Sequence, residues 1–322
     1  MKNTPKEKYS LIGKRVYVAG HKGMVGSAIV RALTNIDCSI LTESSSNLDL
    51  KDNKEVDVWF NNNKPDTVFL AAAKVGGILA NNDYPVDFLE DNLAIQNSVI
   101  SASYKHKVEK FMFLGSSCIY PRGADQPLKE SSLLTGALEP TNEAYAIAKI
   151  AGIKLCQAYR KQYGVDYISV MPTNLYGPGD NFHPQNSHVV AALISKFYDA
   201  INKGSDQIVL WGTGSPLREF MHVDDMADGL IFIMQNYSDV EHINIGTGKE
   251  ISIKDFAELI KDISGWSGQI DFDSSYPDGM QRKVMDINKI NDLGWKAKKE
   301  LKVGLKEAYN WYVINYNNVR IK

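Results

Sequence analysis

The segment Val16-Tyr17-Val18-Ala19-Gly20-His21-Lys22-Gly23-Met24-Val25-Gly26 constrains the fold of this chain more than any other. A short apolar run enters three glycines. The next residues, Gly23 to Leu33, place Val25, Ile29, Val30 and Leu33 on one helical face. The pattern reads as strand, glycine turn, helix. In that setting Gly20 permits the tight turn, Gly23 lets the backbone approach a pyrophosphate, and Gly26 lets the helix sit against the strand. The free N–H groups and positive end of the helix then face a phosphate. The segment predicts a dinucleotide site lined by Gly20, His21, Lys22, Gly23, Met24, Val25 and Gly26.

The rest of the first half keeps that rhythm. Strands are predicted over Cys38–Thr42, Thr67–Ala71, Lys110–Leu114 and Tyr167–Met171, with helices over Val56–Phe60, Asp83–Lys105 and Asn142–Tyr163. Alternation of this kind implies an α/β fold, a Rossmann-type doubly wound parallel sheet with helices on both faces. After about Thr173 the pattern changes. Loops are expected over Tyr176–Asn186, Asn202–Gln207 and Gly212–Glu219, the last two flanking an apolar run at Ile208–Trp211. Helices are expected over Ser187–Ile201, Asp225–Gln235, Ile253–Ser264 and Glu300–Tyr316. This part reads as a smaller C-terminal α/β substrate domain. Met221–Met234 again looks like a core strand or turn and helix. The predicted division is therefore discontinuous, residues 1–175 with about 218–246 against about 176–217 with 247–322.

Composition excludes several function classes. A net charge of −2 and a pI of about 6.3 leave no basic excess for a nucleic-acid backbone. Cys38, Cys118 and Cys156 are neither a disulfide framework nor a metal-ligand pattern. The stretch Met1–Lys14 is polar, and no run reaches the roughly 20 apolar residues that span a bilayer. A reduced, cytoplasmic location is expected.

Cofactor choice stays open at this level. An acid near the end of the second strand favours NAD and a cation favours NADP. The segment here is Thr42-Glu43-Ser44-Ser45-Ser46. Glu43 points toward NAD, while Lys22 and the serines suit a phosphate. Asp49, next to Leu50, reads either as an acceptor for the adenine amino group or as a solvated acid at a helix start.

Gly115-Ser116-Ser117-Cys118-Ile119-Tyr120 ends a predicted strand, where α/β sheets place ligands. Tyr145 and Lys149 are four apart, so they share a helix face. An ammonium beside the phenol is expected to lower its pKa and let Tyr145 exchange a proton with a substrate oxygen that Ser116 also bonds. Cys118, two residues past Ser116, reads as a base beside a carbonyl or as a small buried hydrophobe.

These segments resemble the extended short-chain dehydrogenases that act on nucleotide sugars. Within them the chain is most similar to the GDP-4-keto-6-deoxy-D-mannose 3,5-epimerase/4-reductases. The resemblance runs from about Lys14 to the C-terminal helix. It is carried by Ala19–Ser27, Gly115–Pro121, Leu138–Glu143, Met171–Gly177, Asp180–Pro184 and Asn186–His188. It implies epimerisation at C3 and C5, then reduction of C4 by NADP(H), giving GDP-L-fucose. Ser116, Tyr145 and Lys149 match the reduction residues, Cys118 the epimerisation base and His188 its acid partner. Pro172, Thr173, Asn174 and Leu175 match the loop near the nicotinamide, where Ser116, Lys149 and His188 also count as cofactor contacts. Asp49 and Leu50 fall at the adenosine end. Lys196, Trp211, Arg218 and Asp278 match the contacts to the GDP-sugar. The family also implies a homodimer, built on the helices predicted at Asp83–Lys105 and Asn142–Tyr163. Neither a metal nor a membrane is implied.

The rival enzymes are a 4,6-dehydratase and a 4-epimerase. Dehydratases carry Asp-Glu where this chain has Ser117 and Cys118, and a simple 4-epimerase needs neither Cys118 nor His188. A non-catalytic dinucleotide scaffold predicts a broken Ser/Tyr/Lys set, and this set is complete.

Overall fold

Side-chain alternation along the strands builds two helical layers onto one sheet. The computed structural model describes residues 9–183, 187–276 and 278–319. The polar start over residues 1–8 and the stretch 184–186, with Pro184 and Asn186 of the motifs above, lie outside them. Strands β1 (Arg15–Ala19), β2 (Ser39–Leu41), β3 (Thr67–Leu70), β4 (Lys110–Leu114) and β5 (Asp166–Pro172) are parallel neighbours in the order β2-β1-β3-β4-β5. Successive residues point to opposite faces. Val16 and Val18 therefore join α1 (Met24–Leu33) on one face, while Tyr17 and Ala19 face the other. There they meet α2 (Asn53–Asn63), α4 (Pro85–Lys105) and α5 (Glu143–Tyr163). A short helix, α3 (Ile78–Asp83), precedes α4.

The predicted helix over Asp83–Lys105 is thus two helices broken at Tyr84. The cause is Pro85, which has no N–H to give and disfavours helical geometry in the residue before it. Pro85 sits at the first helical position, where the missing N–H is harmless.

After β5 the chain crosses into a second layer. β6 (Asn174–Tyr176), α6 (Val189–Lys203), β7 (Gln207–Trp211) and β8 (Leu217–His222) come first. α7 (Val223–Asn236) and β9 (Ile243–Ile245) then return to the large sheet. There β9 extends it beyond β5, and α7 packs beside α1. β10 (Glu250–Ser252), α8 (Ile253–Ser264), β11 (Gln269–Asp273), β12 (Arg282–Lys283), α9 (Asn288–Asp292) and α10 (Leu301–Asn315) complete the chain.

The expected loop over Gly212–Glu219 is corrected, since Leu217, Arg218 and Glu219 already belong to β8. That half of the strand pairs with β10 on one side and β12 on the other. The other half, Phe220 to His222, pairs with β6. A polar strand start leaves no local signal, because its partners are remote in sequence. The expected loop from Tyr176 likewise starts one residue too early, Tyr176 being the last residue of β6.

Candidate active site

The glycine turn closes as its spacing predicts. Gly20 has φ +90°, and a Cβ there would lie 2.7 Å from the backbone nitrogen of Ala72, just past β3. A Cβ on Gly26 would stand 2.1 Å from the Gly20 carbonyl oxygen. Strand order reverses between β2 and β3 on either side of β1, which puts this turn at the crevice where such sheets bind ligands. Gly23 caps α1 without a side-chain acceptor, and no acid occupies the first turn. The leading N–H groups of α1 are therefore left for an anion. His21 Nδ1 is buried without a partner among the described residues. A cradle that any side chain would fill, ending in free donors, fits the diphosphate of a dinucleotide.

That closeness makes Gly26→Ala informative. The added methyl meets backbone rather than a movable side chain. The variant should lose about 1–3 kcal/mol of stability and most of its dinucleotide affinity, read by thermal melting and by cofactor fluorescence titration.

Asp49 is exposed, and its Oδ1 accepts the Lys51 N–H at 3.0 Å, a local turn that leaves acceptor capacity unused. Leu50 packs against the core on the α2 side. Pro172 ends β5, and Thr173 donates its N–H to Ile245 of β9 at 3.0 Å. Asn174 donates its side-chain amide to the Glu219 carbonyl at 2.9 Å, and Leu175 pairs with Met221. Residues 172–175 are thus fixed at the carboxyl edge of the sheet.

β4 delivers the next group. Beyond Leu114 the chain turns through a 3₁₀ segment whose leading residue, Ser116, accepts the Cys118 N–H on its hydroxyl at 3.4 Å. The Ser116 hydroxyl is also an electrostatic neighbour of the Tyr145 phenol and the Cys118 thiol. α5 brings Tyr145 and Lys149 up from its first turns. The Lys149 ammonium lies 5.7 Å from the Tyr145 ring centre and donates to the Leu114 carbonyl at 2.9 Å. Ser116, Cys118, Tyr145 and Lys149 therefore form one cluster beyond the carboxyl end of β4.

Burial dominates the electrostatics of this cluster. It lowers Lys149 to about 8, against an opposing pull from Cys118. It raises the Cys118 thiol, while Lys283, Ser116 and Lys149 pull the other way. It raises the Tyr145 phenol too, with Cys118 adding to the rise and Ser116 opposing it. The expected lowering of the Tyr145 pKa is corrected on this point. Lys149 sits over the ring, but loss of water costs the phenolate more than that ammonium returns. The phenol is held protonated, as a proton donor.

His188 is set apart from the cluster. It caps α6, is exposed, and makes no side-chain hydrogen bond or ion pair among the described residues.

The four residues expected at the sugar nucleotide fall on β7, β8 and their surroundings. Lys196 reaches from α6 to the Val209 carbonyl at 3.3 Å. Trp211 ends β7, is 57% exposed, and stacks on Tyr276 with ring centres 4.5 Å apart and planes at 9°. Asp278 accepts the Thr213 N–H at 2.6 Å and its hydroxyl at 2.8 Å. Asp278 is also a charge neighbour of Arg218, whose own pKa is lowered by burial. An open aromatic face beside two cations and a carboxylate suits a purine nucleoside diphosphate.

Known proteins resemble the chain closely. The family model described as the NAD dependent epimerase/dehydratase family matches residues 16–246. GDP-L-fucose synthase 1 of Arabidopsis thaliana is 55% identical over 305 residues, covering 94% of each chain. GDP-L-fucose synthase of Escherichia coli (strain K12) is 49% identical over 317 residues, covering 95% of this chain and 99% of the relative. The chain belongs to the GDP-L-fucose synthase family. A crystal structure of a GDP-L-fucose synthetase from Naegleria fowleri bound to NADP superposes with a TM-score of 0.91. It is 29% identical and covers 98% of this chain and 99% of that one. Membership of the GDP-L-fucose synthase family carries the extended short-chain dehydrogenase fold seen here.

Two residues around this cluster escaped the sequence reading. Lys283 is a charge neighbour of both Cys118 and Arg218, so it stands between the thiol and the nucleotide end. Glu219 is fully buried. Its carboxylate accepts N–H groups from Thr247, Gly248 (2.8 Å) and Met285 (2.8 Å). It thereby ties the turn after β9 and the segment after β12 to β8. Neither residue lies in a recognisable motif. Their roles come from pairing Lys283 with Arg218 in register.

Proposed function

We propose that this protein converts GDP-4-keto-6-deoxy-D-mannose to GDP-L-fucose, inverting C3 and C5 and then reducing C4 with NADPH. The carrying observation is a buried thiol, Cys118, that shares its surroundings with Ser116 and the Tyr145 proton donor and has the Lys149 and Lys283 ammoniums as charge neighbours. A reductase alone has no use for that thiol, and a dehydratase needs carboxyl groups in its place.

The C4 ketone acidifies the hydrogens on C3 and C5. Cys118, as thiolate, takes each proton, and Lys283 and Lys149 offset the charge it acquires. His188 returns a proton to the opposite face, swinging in from the exposed cap of α6. Ser116 bonds the C4 oxygen, which accumulates negative charge in both stages. The glycine cradle and residues 172–175 would hold NADPH, which would supply the hydride for C4. Tyr145 gives its phenolic proton to the C4 oxygen, and Lys149 steadies the phenolate left behind. Lys196 and Arg218 hold the diphosphate, while Trp211 and Asp278 hold the nucleoside. Incubation with GDP-4-keto-6-deoxy-D-mannose and NADPH should give GDP-L-fucose. A product with unaltered C3 and C5 stereochemistry would refute the epimerase half.

The thiol is protonated near neutrality, so its share of thiolate grows with pH. Deuterium exchange at C3 and C5 is expected to quicken as pH rises from about 6 to 8. A rate that falls across that range excludes Cys118 as the base.

The two-part division given above is retained as part of this reading, with α7 and β9 packing on the nucleotide half. We also infer a cytoplasmic homodimer. Exposed apolar residues on α4 and α5, Val86, Tyr104, Ile147 and Tyr163, support an interface there. No described helix is long and apolar enough to cross a membrane.

A further inference from the structure

Beyond the second strand of such a sheet, an acid receives a free ribose 2′-hydroxyl and a cation holds a 2′-phosphate. β2 ends at Leu41, which pairs with Tyr17 of β1, so the following turn rises beside the glycine loop. Glu43 stands two residues beyond that end, with His21 of the loop as a charge neighbour. Its carboxylate is fixed in place. The Ser44 N–H donates to it at 2.9 Å and the Asn47 amide at 3.0 Å, both on Oε1, and the Trp59 indole lies nearby. Trp59 is in turn packed on Tyr17, with ring centres 4.1 Å apart.

Both donors are neutral, and no described cation forms an ion pair with Glu43. They fill two of the roughly four acceptor positions of a carboxylate, both on Oε1, and leave Oε2 for a further hydroxyl. The Ser44 and Ser46 hydroxyls bond each other at 2.7 Å. On the glycine loop, Lys22 is exposed and makes no hydrogen bond or ion pair among the described residues. A fixed anion beside His21 and an exposed cation one residue further along the same loop thus accompany the cradle.

We propose that Glu43 and Lys22 are opposed selectors at the adenosine ribose, so that this protein binds NADH as well as NADPH. Glu43 receives the free 2′-hydroxyl of NADH. It repels the 2′-phosphate of NADPH, a group with a charge of about −1.5 to −2. Lys22 offsets that repulsion by pairing with the phosphate. The inference deepens the proposed reaction and rests on it only for the use made of the cofactor.

The test is a binding titration of the full chain, following NADPH and NADH fluorescence without any sugar. Competition by 2′,5′-ADP against 5′-AMP isolates the phosphate. The two dissociation constants are expected to lie within about tenfold of each other. Glu43→Gln keeps the oxygen that accepts the Ser44 N–H and removes the charge. It should shift the NADPH-to-NADH affinity ratio toward NADPH by about tenfold, and Lys22→Met should shift it the other way. Melting curves check that both variants fold. If NADPH binds more than about 100-fold tighter than NADH, or if neither substitution moves the ratio, the inference fails. Dual binding by a protein inert toward the keto sugar would reject the proposed reaction and leave this inference standing.

Discussion

Tyr145→Phe is expected to slow NADPH-dependent reduction of the keto sugar by about 10²–10⁴-fold, the usual worth of a positioned proton donor. Hydride addition at C4 leaves an alkoxide that must be neutralised. The phenol is the group that burial keeps protonated for the task, close to Ser116 and lying beneath Lys149. Phenylalanine retains the ring and its edge contact with Phe88, whose centre lies 6.1 Å away. Melting temperature and NADPH affinity should therefore stay close to those of the parent. Stopped-flow measurement of NADPH oxidation separates the two effects. Near-normal turnover in the variant would remove Tyr145 from the donor role.

Cys118→Ser is expected to stop deuterium incorporation at C3 and C5, again by about 10²–10⁴-fold. A serine hydroxyl is of similar size but is not ionised anywhere near neutral pH, so the pocket keeps its shape and loses its base. The 4-keto sugar already inverted at C3 and C5 should still be reduced at a rate near that of the parent. That pairing distinguishes a lost base from a damaged pocket. His188→Gln should also block exchange, through the other face. Unaltered exchange in both variants would refute the assignment of Cys118 and His188.

The cofactor half was open to sequence reading because its determinants are local. Three glycines at fixed spacing, an apolar strand before them and a helix behind them leave little freedom in the turn. The clash that a Cβ would make at Gly20 and Gly26 is the physical reason for those glycines. Tyr145 and Lys149 were legible for a related reason, since a helix puts positions four apart on one face.

The sequence by itself therefore determined the sheet class, the glycine turn, and the shared helix face of Tyr145 and Lys149. The tertiary structure decided what depends on remote partners or on burial. β8 exists because β6, β10 and β12 converge on it, and no local pattern announces that meeting. Lys283 reaches the thiol only through its register opposite Arg218. The sign of the Tyr145 shift also lay beyond the sequence. Spacing alone gave the attracting ammonium, while the opposing loss of water depends on how deeply the packed chain buries the phenol.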